Sequence, residues 1–281
     1  MMNYIVFDLE WNSFKNIKGQ VYYYKKFNEK TKFFDEIIEI GAIKLNDRLE
    51  YIDSFRVYIK PTIYKKINPR IIELTGIADE DLKYGFDFKK WLGKDYILCS
   101  WCDTDIKVLK RNIKYYNPKY KIESLLLPYI DIQKYCCEVL GYDRRVSLHE
   151  VINAENIVAS TDKLHQALDD TKLTVDIFRK IFDKEKIRNY IINDVDCIYD
   201  SMNLNITVDM LDRTRLRARC ASCGKYSKRL KLSFDNKKRR VSILSYCSSC
   251  GIYTKQRIKI KKNLLGDLVY VSRKKIVELS R

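Results

Sequence analysis

The order of apolar patterns predicts an α/β fold, a mixed sheet flanked by helices, followed by a small β module stapled by a metal. Three observations carry this. Strand-like runs rich in Ile and Val dominate residues 4–59. Stripes of helical period then interleave with short strands from residue 96 onward. Two Cys-x2-Cys-Gly pairs stand in the last quarter of the chain.

Tyr4–Trp11, Ile37–Leu45 and Ile52–Ile59 read as the opening strands, with Asp8 and Glu10 interrupting the first at alternate positions. The stretch 12–35 is long for a hairpin loop and is expected to run over one face. Tyr96–Trp101 and Tyr129–Ile132 are the fourth and fifth strands. Ile106, Leu109, Ile113 and Tyr116 recur at helical spacing, as do Leu164, Ala167, Leu168, Thr171, Val175, Phe178 and Phe182. Ile187, Tyr190, Ile191, Val195 and Ile198 suggest one more helix. The expected organisation is a domain at 1–198, a junction at 199–212 and a module at 213–281.

Of the 281 residues 46% are hydrophobic, enough for a sizeable core. No apolar run approaches the ~20 residues of a membrane-spanning helix, and no signal-peptide pattern stands at the N-terminus. The expectation is a cytoplasmic protein with no membrane partner. The net charge of +17 has a location: 213–281 holds 21 basic and 3 acidic side chains, against 33 and 34 in 1–212. Such asymmetry points to a module that binds a polyanion, with nucleic acid as the expected partner. Nine cysteines, an odd number, argue for a reducing compartment rather than a disulfide framework.

Asp8 and Glu10 lie two apart on a strand, so both side chains face one way. Two carboxylates side by side on an apolar strand call for a cation, and Mg2+ or Mn2+ takes hard oxygen ligands of this kind. Helix phase chooses among the later acids. On the stripe containing Ile106 and Leu109, Asp105 lies about 50° from the centre and Asp103 about 110°. Asp105 is therefore expected inside, with Asp103 as an N-cap-like residue. Asp170 lies about 100° from the centre of its stripe and Asp169 about 160°, which puts Asp169 in solvent. His165 and Asp169 are four apart and would share a face, unless His165 precedes the helix proper.

Together these residues resemble the DEDDh superfamily of 3′-to-5′ exonucleases. Phe7-Asp8-Leu9-Glu10 is similar to its first motif, and Cys99–Asp105 followed by Leu109 to its second. His165 with Asp170, inside Leu164–Thr171, is similar to the third. Glu36–Ala42 and Glu73–Ile77 match segments usual between the first two motifs. Eri-type and KapD-like exonucleases are the nearest subgroup, and the resemblance spans residues 3–182. It implies a ribonuclease H-like fold and hydrolysis with two Mg2+ or Mn2+ ions held by Asp8, Glu10, Asp105 and Asp170. It implies His165 as general base, release of nucleoside 5′-monophosphates from a single-stranded 3′ end, and RNA ahead of DNA. Leu9, Trp11, Asn12, Leu74, Thr75, Gly76 and Trp101 would surround the terminal nucleoside. Trp11-Asn12 and Cys102 depart from the usual pattern, which leaves substrate preference open. A 3′-end-binding adaptor that does not cut, and a proofreading partner of a polymerase, are the competing readings.

Cys220, Cys223, Cys247 and Cys250, with Gly224 and Gly251 after each pair, resemble a zinc ribbon with one structural Zn2+. The glycines suit turns of positive φ. Lys228–Phe234 and Val241–Tyr246 are a hairpin around Asp235-Asn236, and Ile252–Ile258 a third strand. Lys237, Lys238, Arg239 and Arg240, the arginines from Arg215 to Arg219, and Lys259, Lys261 and Lys262 are the candidate phosphate contacts. Tyr226, Tyr246 and Tyr253 would either stack on bases or form the module's small core.

Overall fold

A computed structural model describes residues 2–13, 35–63, 66–82, 88–158, 165–200, 208–235, 238–263 and 267–278. Most of the 12–35 excursion, Leu164, Lys237 and the Asn236 turn lie outside these. The chain forms two compact units, residues 1–194 and 195–281.

In the first unit a five-stranded sheet is built from β1 (Asn3–Ser13), β2 (Asp35–Leu45), β3 (Tyr51–Tyr58), β4 (Tyr96–Ser100) and β5 (Tyr129–Asp131). The order is β3-β2-β1-β4-β5. β1–β2 and β2–β3 are antiparallel, while β1–β4 and β4–β5 are parallel. This is the mixed sheet with an antiparallel start that the sequence predicts. Its helices are α1 (Pro69–Thr75), α2 (Phe88–Leu92), α3 (Asp103–Tyr116), α4 (Glu123–Leu126), α5 (Ile132–Leu140), α6 (Leu148–Ala154) and α7 (Ala167–Ile181). Strand alternation splits the core. Tyr4, Val6, Ile43 and Leu45 pack in one cluster with residues of α5, α6 and α7. The alternate residues Ile5, Phe7 and Leu9 are buried on the other face, where α3 brings Ile106 and Leu109.

β1 pairs with β4 only from Asn3 to Val6, so Asp8 and Glu10 project past the end of β4. In open α/β sheets, crevices at the carboxyl ends of strands are where ligands bind. On the other side Asp8 is opposite Gly41 and Glu10 is opposite Glu39. A Cβ on Gly41 would stand 2.1 Å from the Leu168 N and 2.3 Å from the Ala167 C. The first turn of α7 thus lies directly on β2, and the Thr171 hydroxyl donates to the Gly41 carbonyl at 3.1 Å. Only a residue without a side chain permits that approach.

The stretch 187–198 is not the helix its spacing suggests. It forms 3-10 turns at Ile187–Tyr190 and Val195–Cys197, because Ile192 is drawn into an antiparallel bridge with Tyr129. Of the helices, the sequence spacing marks only α3 and α7; α1, α2, α4, α5 and α6 are short and have no counterpart in it.

The second unit is an antiparallel sheet of β6 (Tyr199–Asp200), β7 (Lys228–Asp235), β8 (Arg240–Cys247), β9 (Ile252–Asn263) and β10 (Leu268–Val277). Four strands run in the order β10-β9-β8-β7, and β6 pairs with the end of β9. Residues 199–212, read from the sequence as a junction, therefore contribute a strand. Val241, Ile243, Ile258 and Ile260 form a core with Leu211, Leu216 and Ala218. Strand β10 was not legible in the sequence; its Ser-Arg-Lys-Lys centre interrupts the apolar pattern.

Replacing Gly41 with Ala is expected to lower stability by ~1–3 kcal/mol or more. The Cβ meets backbone rather than a movable side-chain tip. The urea midpoint of the first unit reads this out, and an unchanged midpoint would show that α7 shifts at no cost.

Candidate active site

Three elements converge on the end of β1. Strand β1 supplies Asp8 and Glu10, the first turn of α3 supplies Asp105, and the first turn of α7 supplies Asp170. Both helices present N-terminal ends, where free N–H groups and the helix dipole favour negative charge. Asp105 is 4% exposed and accepts a hydrogen bond from the Leu9 N–H, which ties α3 to β1. His165 precedes α7 in the left-handed region, at φ 60°, and Gln166 is the N-cap. His165 is thus outside the helix proper, and its spacing to Asp169 does not force a shared face. One ligand atom each of Glu10, His165 and Asp170 lie within 4.8 Å of one another.

Glu39 holds this arrangement from beneath. It is fully buried, accepts from the Ala167 N–H at 3.1 Å and pairs with Arg56 at 2.7 Å. Arg56 in turn donates to the Gln166 side chain at 3.1 Å. A carboxylate on β2 therefore caps the start of α7 and fixes the segment carrying His165 and Asp170. Sequence reasoning placed Glu39 in a family segment without a role. It is betrayed only by being a charged residue inside the run Ile37–Ile43.

The carboxylates disturb one another. Burial, then Asp105, Glu10 and Asp170, push Asp8 well above the usual range. Burial and then Asp170 and Glu39 raise Glu10 to about 8. Burial raises Asp105 to about 7, with Asp103 and Asp131 adding to it and the Leu9 N–H opposing. Burial also raises Asp170, against His165 and His149. The charge of His149 thus acts on Asp170 as well, although the sequence singled out only His165. Asp170 also has a buried Oδ1 without a hydrogen-bond partner among the described residues. Clustered carboxylates with an orphaned oxygen form a hard-oxygen donor set that fits divalent cations.

Several sequence expectations need correction. Asp169 is not in solvent: it is 6% exposed and pairs with Lys172 at 2.7 Å. In the first turn of α7, the side opposite the core stripe still lies low against the sheet. Asp103 is not an N-cap. It opens α3, after Cys102 as N-cap, and pairs with Lys107 at 2.8 Å and Arg145 at 3.7 Å.

Among the proposed nucleoside contacts, Trp101 packs inside the core cluster with α5–α7, and the Leu9 side chain is buried. Asn12 is fully buried. It donates to the Lys66 carbonyl at 3.1 Å and accepts from the Asn68 N–H at 2.9 Å. Asn68 also caps α1, so this pair pins α1 to the end of β1. Leu74 is exposed, Thr75 is buried against the Ile71 carbonyl, and Gly76 ends α1 at φ 70°. Trp11 is half-buried on β1. Leu74, Gly76 and Trp11 remain available at the surface; the other four side chains, Leu9, Asn12, Thr75 and Trp101, are committed to structure.

In the second unit the four thiols of Cys220, Cys223, Cys247 and Cys250 gather within 4.8 Å. The Cys223–Cys247 sulfur separation is 3.7 Å. A tetrahedron with ~2.3 Å zinc–sulfur bonds has edges of about 3.8 Å. Gly224 and Gly251 have φ of 72° and 66°, and each N–H returns to the carbonyl of the first cysteine of its knuckle. The N–H groups of Cys223 and Ser222 draw the Cys220 thiol down to about 6, toward the thiolate a metal requires. Tyr226 is exposed, with the Arg219 guanidinium 4.4 Å from its ring centre. Tyr246 and Tyr253 pair across strands at 4.9 Å, outside the aliphatic core.

Residues 5–178 match the family model described as Exonuclease (RNase_T). The chain is 28% identical over 218 residues to a DNA polymerase III of PolC type from Clostridium perfringens. That match covers 74% of this chain and 13% of the relative. It is 30% identical over 88 residues to a probable 3′-5′ exonuclease KapD from Bacillus subtilis, covering 28% and 42%. The chain thus spans a small part of the polymerase relative and less than half of KapD. Among solved structures it is similar to a 3′-exonuclease described in 3′-end-specific recognition of a histone mRNA stem-loop. The TM-score is 0.53 at 19% identity, covering 67% of this chain and 84% of that one. The chain belongs to the exonuclease family, with its 3′-to-5′ exonuclease domain at residues 5–178.

Proposed function

We propose that the protein is a divalent-metal-dependent hydrolase that removes nucleoside 5′-monophosphates from the 3′ end of a single nucleic-acid strand. The observation that carries this is the convergence of Asp8, Glu10, Asp105 and Asp170, each raised in pKa first by burial, beside His165. Asp8, Glu10, Asp105 and Asp170 would hold two Mg2+ or Mn2+ ions. Such a pair stabilises attacking and leaving oxygens of phosphodiester hydrolysis. His165 accepts the proton of the attacking water. It is exposed and offers a ring nitrogen within 4.8 Å of Glu10 and Asp170 carboxylate oxygens, where an imidazole can act as a general base. Trp11, Leu74 and Gly76 border the terminal nucleoside. Glu39 and Arg56 position the α7 segment and take no part in bond breaking. In the second unit, Cys220, Cys223, Cys247 and Cys250 hold one structural Zn2+.

Resemblance of the sequence motifs to Eri-type enzymes favours RNA as the strand. The similarity to a polymerase III relative supports the competing reading, proofreading of DNA in a polymerase complex. Incubating the full chain with Mn2+ and end-labelled RNA or DNA, single- or double-stranded, separates them. Release of mononucleotides from single-stranded RNA by the isolated protein is expected; activity appearing only with a polymerase would favour the second.

Asp8→Ala and Asp170→Asn are each expected to lower mononucleotide release by ~10³-fold or more while the fold persists. Asp169→Asn, which removes the Lys172 pair, stays within about tenfold of the unsubstituted protein. The reverse order would place the fourth metal-binding acid at Asp169.

Stability without divalent cations should fall as pH rises. An acid whose folded pKa is raised keeps its proton in the folded state after the unfolded chain has lost it, so deprotonation favours unfolding. For Glu10 the window runs from 4.5 to about 8. The melting temperature of the metal-free first unit is expected to drop across this range, and Mn2+ to raise it more at the alkaline end. A Mn2+ effect independent of pH would contradict the clustering.

Stripping zinc with a strong chelator, then restoring Mg2+, should unfold the second unit and leave hydrolysis of dinucleotides intact. Release of one zinc per chain, with loss of the second unit's circular-dichroism signal, is the measurement. Retention of that signal would show that the thiols fold without metal.

A further inference from the structure

Strand register sorts the basic residues of the second unit onto two faces in a way their sequence positions conceal. Residues directly opposite in an antiparallel ladder share a face, and successive residues alternate. One face carries Val241, Ile243, Ile258 and Ile260 and is covered by Leu211, Leu216 and Ala218. The pairing leaves the other face as a set of transverse rows. Lys228, Tyr246, Tyr253 and Val277 form the first. Lys231, Leu244, Lys255 and Lys275 form the second, then Ser233, Ser242, Arg257 and Arg273. Asp235, Arg240, Lys259 and Val271 form the fourth, and Lys261 with Val269 the last.

This open face holds nine basic side chains and one acid. Three like-charge pairs stand directly opposite each other: Arg240 with Lys259, Arg257 with Arg273, and Lys255 with Lys275. Such opposition is destabilising in a sheet, and the fold does not relieve it here. Among the described residues Lys255, Arg257, Lys259, Arg273 and Lys275 form no ion pair. Arg240 has a buried Nε without a hydrogen-bond partner. Burial and then the neighbouring Lys259 push the Lys261 ammonium below its ordinary pKa. Beside this cationic band the Tyr246–Tyr253 pair lies half-buried at one end of the face.

We propose that this open face of the β7–β10 sheet binds the backbone of a single nucleic-acid strand. Its Arg and Lys rows would take phosphates, and Tyr246 and Tyr253 would stack on bases. Neutralising polyphosphate is what the opposed like charges lack. Guanidinium groups suit phosphate geometry, and a single strand leaves its bases free for the tyrosine row, which a duplex does not. The inference rests on the nuclease reading only for the identity of the polyanion. It also divides the basic residues named from sequence: Lys259 and Lys261 belong to the face, whereas Lys262 points to the other side.

The test compares two charge-matched double variants of the full chain in an Asp170→Asn background, which preserves the probe. Arg257→Ser with Arg273→Ser removes an opposed pair from the open face. Arg229→Ser with Lys274→Ser removes equal charge from the covered side. Fluorescence anisotropy with a single-stranded oligonucleotide of about 30 residues is followed across salt concentrations. The first pair should weaken binding about tenfold or more and reduce the slope of log K against log salt by about 1.4. The second should leave both nearly unchanged. The first should also melt no lower than its parent, since a repulsion is removed. Equal losses from both variants would overturn the proposal, leaving undirected charge attraction. So would preferential binding of polyglutamate, which would assign the face to an acidic protein. Dinucleotide hydrolysis is measured in the same pairs with Asp170 intact. Failure of hydrolysis without the substitutions would count against the nuclease reading, while the anisotropy still judges the face.

Discussion

The contact between the first turn of α7 and β2 at Gly41 organises the first unit. Asp8 is opposite Gly41 on the neighbouring strand, so a place where a helix touches the sheet backbone is also where the acidic pair projects. With Cβ absent, Asp170 and His165 are carried to Glu10; Glu39 then caps the helix from below and Arg56 secures the cap. A carboxylate buried for structural reasons thus adjoins four gathered for chemistry. The difference between them is partnership: Glu39 is satisfied by an N–H and a guanidinium, whereas Asp170 retains an oxygen with no partner.

The two units assemble like charges in complementary ways. In the first, carboxylates converge in a crevice at the carboxyl end of a strand, where burial first, and then neighbouring acids, raise their proton affinity. In the second, basic side chains spread over an open sheet face in directly opposed pairs. Neither arrangement is favourable for the protein alone. Cations would suit the first and a phosphate backbone the second, which is the use the proposed activity would make of them.

Much of this was legible in the chain. The five strands of the first sheet, the long α7 helix, the paired acids of β1 and the cysteine knuckles with their positive-φ glycines are local patterns, and local rules recover them. Phase arguments placed Asp105 inside because the first turns of α3, with Ile106 and Leu109, are buried. They failed for Asp169, because a helix pressed onto a glycine buries more of its first turn than its apolar stripe predicts. Asn12 and Trp101 read as substrate contacts by position in a motif, yet one is consumed by the backbone at Lys66 and Asn68 and the other by the core. Ile187–Ile198 kept a helical period but yielded to a bridge with Tyr129, a partner far away in sequence.

By itself the sequence determined the chemistry on offer: four acids and a histidine in order, four thiols at metal spacing, and a basic last quarter. Side-chain type and short-range spacing suffice for that. The tertiary structure decided which of these meet. Only the β1–β2 register sets Asp8 against Gly41 and Glu10 against Glu39, and only the β8–β9–β10 register turns scattered lysines and arginines into one face. Register is a long-range property, fixed by pairing between distant segments, and a single residue of slip would exchange the two faces.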